Sequence, residues 1–572
     1  MVMRIGGLAT GMEIDSIVKE LMRAERVKVD KLEQQKQLIE WKQEIYNEIS
    51  RELANFILNT KKELGLTRTS STGLLLNNSV SSLDWVKRAT LSNSELANVT
   101  VRADAVEGTY KVKVHRLAEN WSAASSGPIS INNEGEINTS NLAAQFGIAE
   151  DEVIQFTIKT NKNPEGFTIN EEGINAKFLS IHDIVKQIND ADIGVKAVYD
   201  YATDRFFLQT EQTGSDNTIE IIDNNEITRE GESDPVNFIS LLKLQYIGEN
   251  GETKSVESGK EYKGKDALID FGAAQGIVQS SNQFTINGIN FDLKNTGEFT
   301  VNVATDIDGV YEKISNFVEK YNELINKLAE KLEEKRYRDY APLTKEQKEE
   351  MSEEEIKLWE EKAKSGLIKN DGILDNLIYS LRTGLFAQVE GVNGIYNHLT
   401  QIGITTESYF SSKWGQLVID ETKLKTAIQN DVDSVLELLF KEPDPELKHK
   451  SESKMTAAEI QAKRSQSGLI SRLYDNLVVG IKGIVNKAGP GENAALYRNV
   501  NSSIMIDFIA DYSGISMLDK DADDLNKRIV TLNSYLVRVE NRYWQQFTQL
   551  EKAINRMNQQ SMWLMQQFGG GY

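Results

Sequence analysis

Residues 518–564 read LDKDADDLNKRIVTLNSYLVRVENRYWQQFTQLEKAINRMNQQSMWL, and the fold is organised around them. Apolar side chains fall at Leu518, Ala522, Leu525, Ile529, Leu532, Leu536, Val539 and Tyr543, then at Leu550, Met557 and Leu564. The steps alternate four and three, which is the a/d spacing of a coiled coil. Gln546 and Gln560 stand where the seam wants apolar groups, and Ala553 is small. At about 1.5 Å per residue the stretch is roughly 70 Å long as a helix, and its apolar stripe needs a partner in water.

That partner lies at the other end of the chain. Counting sevens back from Phe56 gives one register through Ile14, Val18, Leu21, Leu32, Ile39, Tyr46, Ile49 and Leu53. Polar residues interrupt it at Glu25, Lys28, Gln35 and Lys42. Such breaks weaken a seam and dictate its register or oligomer state. Both termini therefore read as long amphipathic helices, with everything else inserted between them. Two arrangements fit: a hairpin closed within one chain, or a hairpin that also assembles with other subunits.

A chain of 572 residues makes roughly three to five domains. Its net charge of −21 argues against nucleic acid or an anionic membrane as the main partner. The absence of cysteine excludes disulfides, thiolate catalysis and Cys-based zinc sites. It also suits a chain that must stay unfolded before leaving a cell. The opening MVMRIGGLATGMEIDS shows no apolar core and no small-residue cleavage site of a Sec-type signal. No run approaches about 18 apolar residues, the length of a membrane-spanning helix.

Taken in order, the glycines at Gly6, Gly7 and Gly11 predict a flexible start, and Glu13 and Asp15 suit a first helical turn. The helical pattern runs to about Leu64, with Gly65 as its stop. Residues 67–82 read as a loop. The period then changes to two: Val99, Val101 and Ala103 alternate, and Tyr110, Val112 and Val114 follow Gly108, predicting a hairpin. Further strands are expected at Ile154–Ile158, Val195–Tyr199, Phe206–Gln209, Ile219–Ile222 and Phe299–Val303. Asn287-Gly288 between Phe284–Ile286 and Ile289–Leu293 marks a tight hairpin turn. Ser180 and Asp183 resemble a capping box before a short helix. From Asp306 the period is helical again, with Val310, Ile314, Phe317, Val318, Tyr321, Leu324, Ile325 and Leu328 on one face. The charged run 330–364, broken at Pro342, reads as a solvated surface excursion. Helices are expected over Leu367–Phe386, Leu424–Phe440 and Leu469–Val485, with a brief strand at Gln416–Ile419.

No catalytic constellation emerges. The four histidines, His115, His182, His398 and His449, are scattered without metal-ligand spacing. Gly259, Gly264 and Lys265 echo a phosphate-binding loop, but Asp266 stands where Ser or Thr is required and no apolar strand precedes it. Asp519, Asp521 and Asp523 open like a calcium loop, but Asp524 and Val530 replace its glycine and glutamate. These carboxylates read better as the first turn of the long helix, capped by Ser516.

GLATGMEIDSIVKELMRAE (Gly7–Glu25) resembles the N-terminal region of the flagellar hook-associated protein 2 family, the filament cap proteins. GTYKVKVHRLAENWSAAS (Gly108–Ser125) is similar to a strand motif of hook-associated and flagellin-like proteins. Asp183–Gly214 and Ser281–Ile325 look like head-domain segments of that family, and Arg338–Asp371 resembles an insert in some of its members. GQLVIDETKLKTAI and the C-terminal heptads complete a resemblance over nearly the whole chain.

The resemblance implies an α+β multidomain chain. Residues 1–45 with 518–572 would form a coiled-coil leg, partly disordered in a free subunit. Residues 46–82 with 304–517 would form a helical leg domain carrying an acidic helical insert at about 335–365. Residues 83–122 with 236–303 would form one β-rich head domain, and 123–235 a second. It also implies a structural cap at the distal tip of the flagellar filament that promotes flagellin polymerisation and prevents subunit loss. The cap would be a ring homo-oligomer, a pentamer, with flagellin and hook-associated proteins as partners. It would be secreted through the flagellar type III machinery with a chaperone. No enzyme activity, cofactor or metal is implied, and the apolar positions of both helices become oligomer or filament contacts. Two alternatives share the pattern: a flagellar adhesin acting through the head, and a hook–filament junction protein.

Overall fold

The computed structural model describes residues 13–71, 75–131, 137–229, 231, 233–248, 250–407, 415–450, 454–500 and 514–568. The glycine-rich start expected to be flexible lies outside them. The chain divides into two units, Met1–Val80 with Ile307–Tyr572, and Ser81–Asp306. It is mixed helix and sheet, as expected, with long helices at both ends.

Helix α1 (Ile14–Glu63) opens the first unit. Gly65 at φ +70° ends it, and the Gly65 and Leu66 amides turn back onto the Lys62 and Lys61 carbonyls. The stretch expected to be a loop instead contains a small antiparallel ladder, β1 (Thr67–Thr69) on β2 (Leu75–Asn77). The β-branched Thr67 and Thr69 suit a strand, a preference the Ser and Thr content of the stretch conceals.

The second unit is built from antiparallel strands. In chain order these begin β3 (Lys87–Leu91), β4 (Ala97–Val101), β5 (Gly108–Arg116) and β6 (Ser122–Ser125). After helix α2 (Leu142–Phe146) come β7 (Phe156–Thr160), β8 (Phe167–Ile169) and helix α3 (Ile181–Asp190). Then follow β9 (Val195–Asp200), β10 (Arg205–Thr210), β11 (Thr218–Ile222), helix α4 (Phe238–Leu241), β12 (Leu244–Ile247), β13 (Thr253–Ser255) and β14 (Glu261–Lys263). The last are β15 (Ala267–Phe271), β16 (Ala274–Gln279), β17 (Gln283–Ile286), β18 (Ile289–Leu293) and β19 (Gly297–Thr305). Sheets β16-β15-β5-β19-β3 and β17-β18-β4 belong to one core, which includes Val112, Ile269, Phe291 and Val301. Sheets β13-β12-β6-β10-β9 and β14-β11-β7-β8, with α3, belong to another, which includes Phe146, Ile158, Ile184, Phe206 and Phe238.

Ser180 and Asp183 form the expected capping box of α3. Ile286 faces Ile289 across Asn287 and Gly288, both at positive φ, as the tight turn requires. A Cβ on Gly288 would sit 2.7 Å from the Ala105 backbone, so only glycine fits. The hairpin expected around Gly108 does not form: β4 pairs with β18, and β5 with β15 and β19. Alternation marks a strand but leaves its partner open.

Residues 238–262, expected with the first head domain, pack in the second core through Phe238, Leu244, Val256 and Tyr262. The chain crosses back at Gly264, where a Cβ would lie 2.6 Å from the Glu119 and Gly214 carbonyl oxygens. Beside it Lys265 pairs with Glu119 at 2.8 Å, and Asp266 accepts from the Ser215 amide at 2.7 Å. The phosphate-loop echo is this crossing.

The first unit resumes with α5 (Ile307–Glu333), α6 (Lys345–Glu349), α7 (Glu353–Lys364) and α8 (Gly372–Phe386). The ladder β20 (Ile404–Thr406) on β21 (Leu417–Ile419) follows, then α9 (Glu421–Asn430), α10 (Val432–Phe440), α11 (Pro445–His449) and α12 (Ala457–Gln466). The last helices are α13 (Leu469–Ala488), α14 (Ala494–Asn499) and α15 (Met517–Phe568). The expected face of α5, from Val310 to Leu328, is buried. Phe317 of α5 meets Phe56 of α1 at 6.0 Å and Tyr474 of α13 at 6.5 Å, and the Tyr474 hydroxyl donates to Thr60 Oγ1 at 2.9 Å. Half of α1 is thus a core helix of this bundle, and the other half continues beyond it.

Candidate functional site: the terminal helix pair

The pair begins where α1 leaves the bundle. There Ser50 Oγ and Tyr497 Oη are 2.6 Å apart, and Asn493 Nδ2 donates to the Asn47 carbonyl at 2.9 Å. Four residues earlier, Gln43 Nε2 donates to Asp519 Oδ1 at 2.8 Å. Asp519 also closes the start of α15, accepting from the Ser516 amide at 2.9 Å while its own amide donates to Ser516 Oγ at 3.1 Å. Burial raises the Asp519 carboxyl, but the hydrogen bonds from Ser516 and Gln43 outweigh it and hold the group below its usual range.

From this root the two helices run antiparallel. Val29 and Leu32 of α1 pack with Ile529 and Leu536 of α15, and Met22, Leu525 and Leu532 flank them. Further along, Tyr543 Oη reaches Glu25 Oε1 at 3.5 Å. Val18 and Met22 line a groove with Leu536, Val537 and Trp544, in which Lys19, Arg23 and Arg26 stand among carboxylates that include Glu346, Glu349 and Glu350.

The α15 heptads hold through Tyr543: Leu518, Ile529, Leu536 and Val539 are buried, and Leu525, Leu532 and Tyr543 half-buried. The α1 register slips by one residue. Val29 is buried at 1 % exposure while Lys28 faces solvent, and Met22 is half-buried where Leu21 is exposed. The slip is local: Val18 and Leu32 on either side keep the counted positions, and only Met22 and Val29 replace the counted Leu21 and Lys28. The expected polar break at Lys28 is therefore absent from the seam. Ile14, Val18 and Leu32 are buried and Ile39 is half-buried.

Tyr46, Ile49, Leu53 and Phe56 were expected as contact residues, but the subunit's own bundle covers them. They are not available to another molecule. Trp41, buried at 3 %, and Gln43 were missed. Trp41 sits off the heptad count, and a glutamine gives no periodic signal.

Beyond Trp544, α15 continues to Phe568, roughly 35 Å of helix. Leu550, Met557, Trp563, Leu564 and Phe568 are exposed there, Met557 by 65 % and Phe568 by 82 %. An apolar stripe of this length normally marks an interaction site.

Other sequence-level candidates serve structure. His115 Nε2 meets Asp270 at 2.7 Å, His398 joins Thr400 to the Phe386 carbonyl, and His182 lies edge-on to Tyr199. Asp523 pairs with Lys527 at 2.6 Å. Among the described residues no cluster of three or more His, Asp or Glu is placed to hold a metal ion, and no helix is long and apolar enough to cross a membrane.

Two family models match this chain: the flagellar hook-associated protein 2 N-terminus over residues 10–120 and its C-terminus over residues 264–559. The flagellar hook-associated protein 2 of Halalkalibacterium halodurans is 32 % identical over 99 % of this chain and 100 % of its own length. That of Thermotoga maritima is 24 % identical over 68 % of this chain and 52 % of its own length. A solved structure of the flagellar cap protein from Escherichia coli, spanning its D1, D2 and D3 domains, aligns with a TM-score of 0.47 at 19 % identity, covering 76 % of this chain and 95 % of that one. The chain belongs to the flagellar hook-associated protein 2 family.

Proposed function

We propose that this chain is a structural cap at the distal tip of the bacterial flagellar filament, outside the cell, where it promotes flagellin polymerisation and holds flagellin subunits in place. It acts by assembly rather than by catalysis. Its working form is a ring of identical subunits, a pentamer, in contact with flagellin and hook-associated proteins. It reaches the tip through the flagellar type III channel with a chaperone's help.

The observation that carries this reading, beyond family membership, is the division of α15. Its first half is held on α1 by a short apolar seam, and its second half presents Leu550, Met557, Leu564 and Phe568 uncovered. A cap that steps as each subunit inserts needs contacts that form and break. A stripe left open in the subunit supplies them without disturbing the core.

The test is complementation of a strain lacking the protein with a chain truncated after Trp544. The truncated chain should fold and be exported, yet leave cells without filaments and with flagellin in the medium. Normal filaments would exclude the tip of α15 from the function.

A further inference from the structure

The acidic stretch between α5 and α8 does more than fill a surface loop. It folds on itself: Thr344 with Gln347 and Ser352 with Glu355 cap its two helices, and Trp359 Nε1 donates to the Ala341 carbonyl at 2.8 Å. Its base is closed. Arg336 donates to the Ala363 and Ser365 carbonyls at 2.7 and 3.1 Å, and the Gly366 amide donates to the Glu334 carboxylate at 2.9 Å. The chain thus leaves and re-enters the bundle at nearly one point.

One side of this structure is tied to α1, which a merely solvated excursion would not require. Gln34 Nε2 donates to the Pro342 carbonyl at 2.7 Å, and Lys364 pairs with Glu44 at 3.1 Å with its ammonium 5.2 Å from the centre of the Trp41 ring. The Tyr46 hydroxyl donates to Asp371, the residue that caps α8. The tied residues run from Gln34 to Tyr46, the stretch of α1 over which its packing passes from the bundle to the start of α15, which Gln43 meets at Asp519. Where a long helix changes packing partner, its local stability depends on how many contacts hold that one stretch.

We infer that residues 334–371 are a brace that stiffens α1 where it leaves the bundle, so that bending of the terminal pair is confined to its distal half. The Gln34 and Lys364 ties are each weak alone at a protein surface, whereas Tyr46, which makes the third, is buried. Together they act on one short segment of one helix, so local opening there must break all of them.

The closed base allows the brace to be cut out of the full-length chain, with residues 337–364 replaced by two glycines. Hydrogen exchange read by peptide mass spectrometry should then quicken about tenfold or more across residues 30–46, the loss of a few hydrogen bonds from one opening event. Exchange at 49–60, inside the bundle, should stay as it was. Unchanged protection at 30–46 overturns the inference. If excision prevents folding, the full-length triple variant Gln34→Ala, Tyr46→Phe, Lys364→Ala gives the same readout. There, protection lost equally at 30–46 and 49–60, or at neither, overturns it.

Discussion

Gln43 donates a hydrogen bond to Asp519 across 476 residues of sequence, and the two ends of the chain meet there. The bond does two things at once. It fixes the axial register of α1 on α15, and it helps to keep Asp519 ionised in the first turn of α15, where negative charge suits the helix dipole.

Because the folded Asp519 carboxyl is held below its ordinary value of 3.8, its contribution to stability is present above that pH. It is lost as the pH falls through the lowered folded value. The root of the hairpin should therefore loosen on acidification below 3.8, read as a fall in protection of residues 517–525 relative to the intrinsic exchange rate at each pH. Ser516→Ala should weaken the same turn at neutral pH by about 1 kcal/mol, the usual worth of an N-cap. An acid-insensitive root would remove Asp519 from this role.

Asp30 has the opposite sign. Burial, then the Glu346 carboxylate, raise its carboxyl above 3.8, against the attraction of Arg26. The folded chain therefore favours the protonated form, and the ionised group works against folding as the pH rises through the raised value. Asp30→Asn should slow exchange in residues 26–34 at neutral pH and make no difference well below 3.8. A destabilised variant at neutral pH would show that the carboxylate makes a favourable contact instead.

The α1 register can be tested at two adjacent residues. Val29→Ala deletes buried methyl groups from the seam and should loosen the hairpin by about 1–3 kcal/mol. Lys28→Ala, on the solvent side, should change it by less than about 0.5 kcal/mol. Equal effects, or the reverse order, would restore the heptad count.

That pair of residues also shows what the sequence could and could not convey. The α15 stripe from Leu518 to Tyr543 was legible because its apolar steps keep close to the helical period where the partner lies alongside. The α1 stripe was legible as a helix face but not to the residue: Ile14, Val18 and Leu32 keep the count, while between them the face turns to Met22 and Val29, which fixed seven-residue counting cannot follow. Local turn chemistry at Ser180 and Asn287-Gly288 was legible, since two or three residues settle it. Strand partners around Gly108 and the crossing at Gly264 were not, because they depend on residues more than a hundred positions away. The site itself was half legible. Leu550, Met557 and Leu564 continue the stripe with the same spacing as its covered half, so the sequence does not show that they stay exposed.

Arg472 tests the bundle separately from the hairpin. Its guanidinium, buried in α13, donates to the carbonyls of Gly384, Ala387, Gln388, Ser465 and Ser467, closing the ends of α8 and α12. Arg472→Ala strands those acceptors and should cost at least about 3 kcal/mol in denaturant unfolding. A lysine cannot reproduce the planar fork and should recover only part of it. A loss below about 1 kcal/mol, on the order of an exposed site, would mean that water replaces the arginine.

The central claim is that the tip of α15 is left open in the subunit in order to be covered on assembly. Hydrogen exchange along α15, in the free subunit and on isolated filament tips, tests it most directly. In the free subunit, residues 525–539 should be protected and 550–568 should exchange quickly. On the filament tip, 550–568 should become protected while 525–539 change little. Fast exchange at 550–568 in both states would contradict the account.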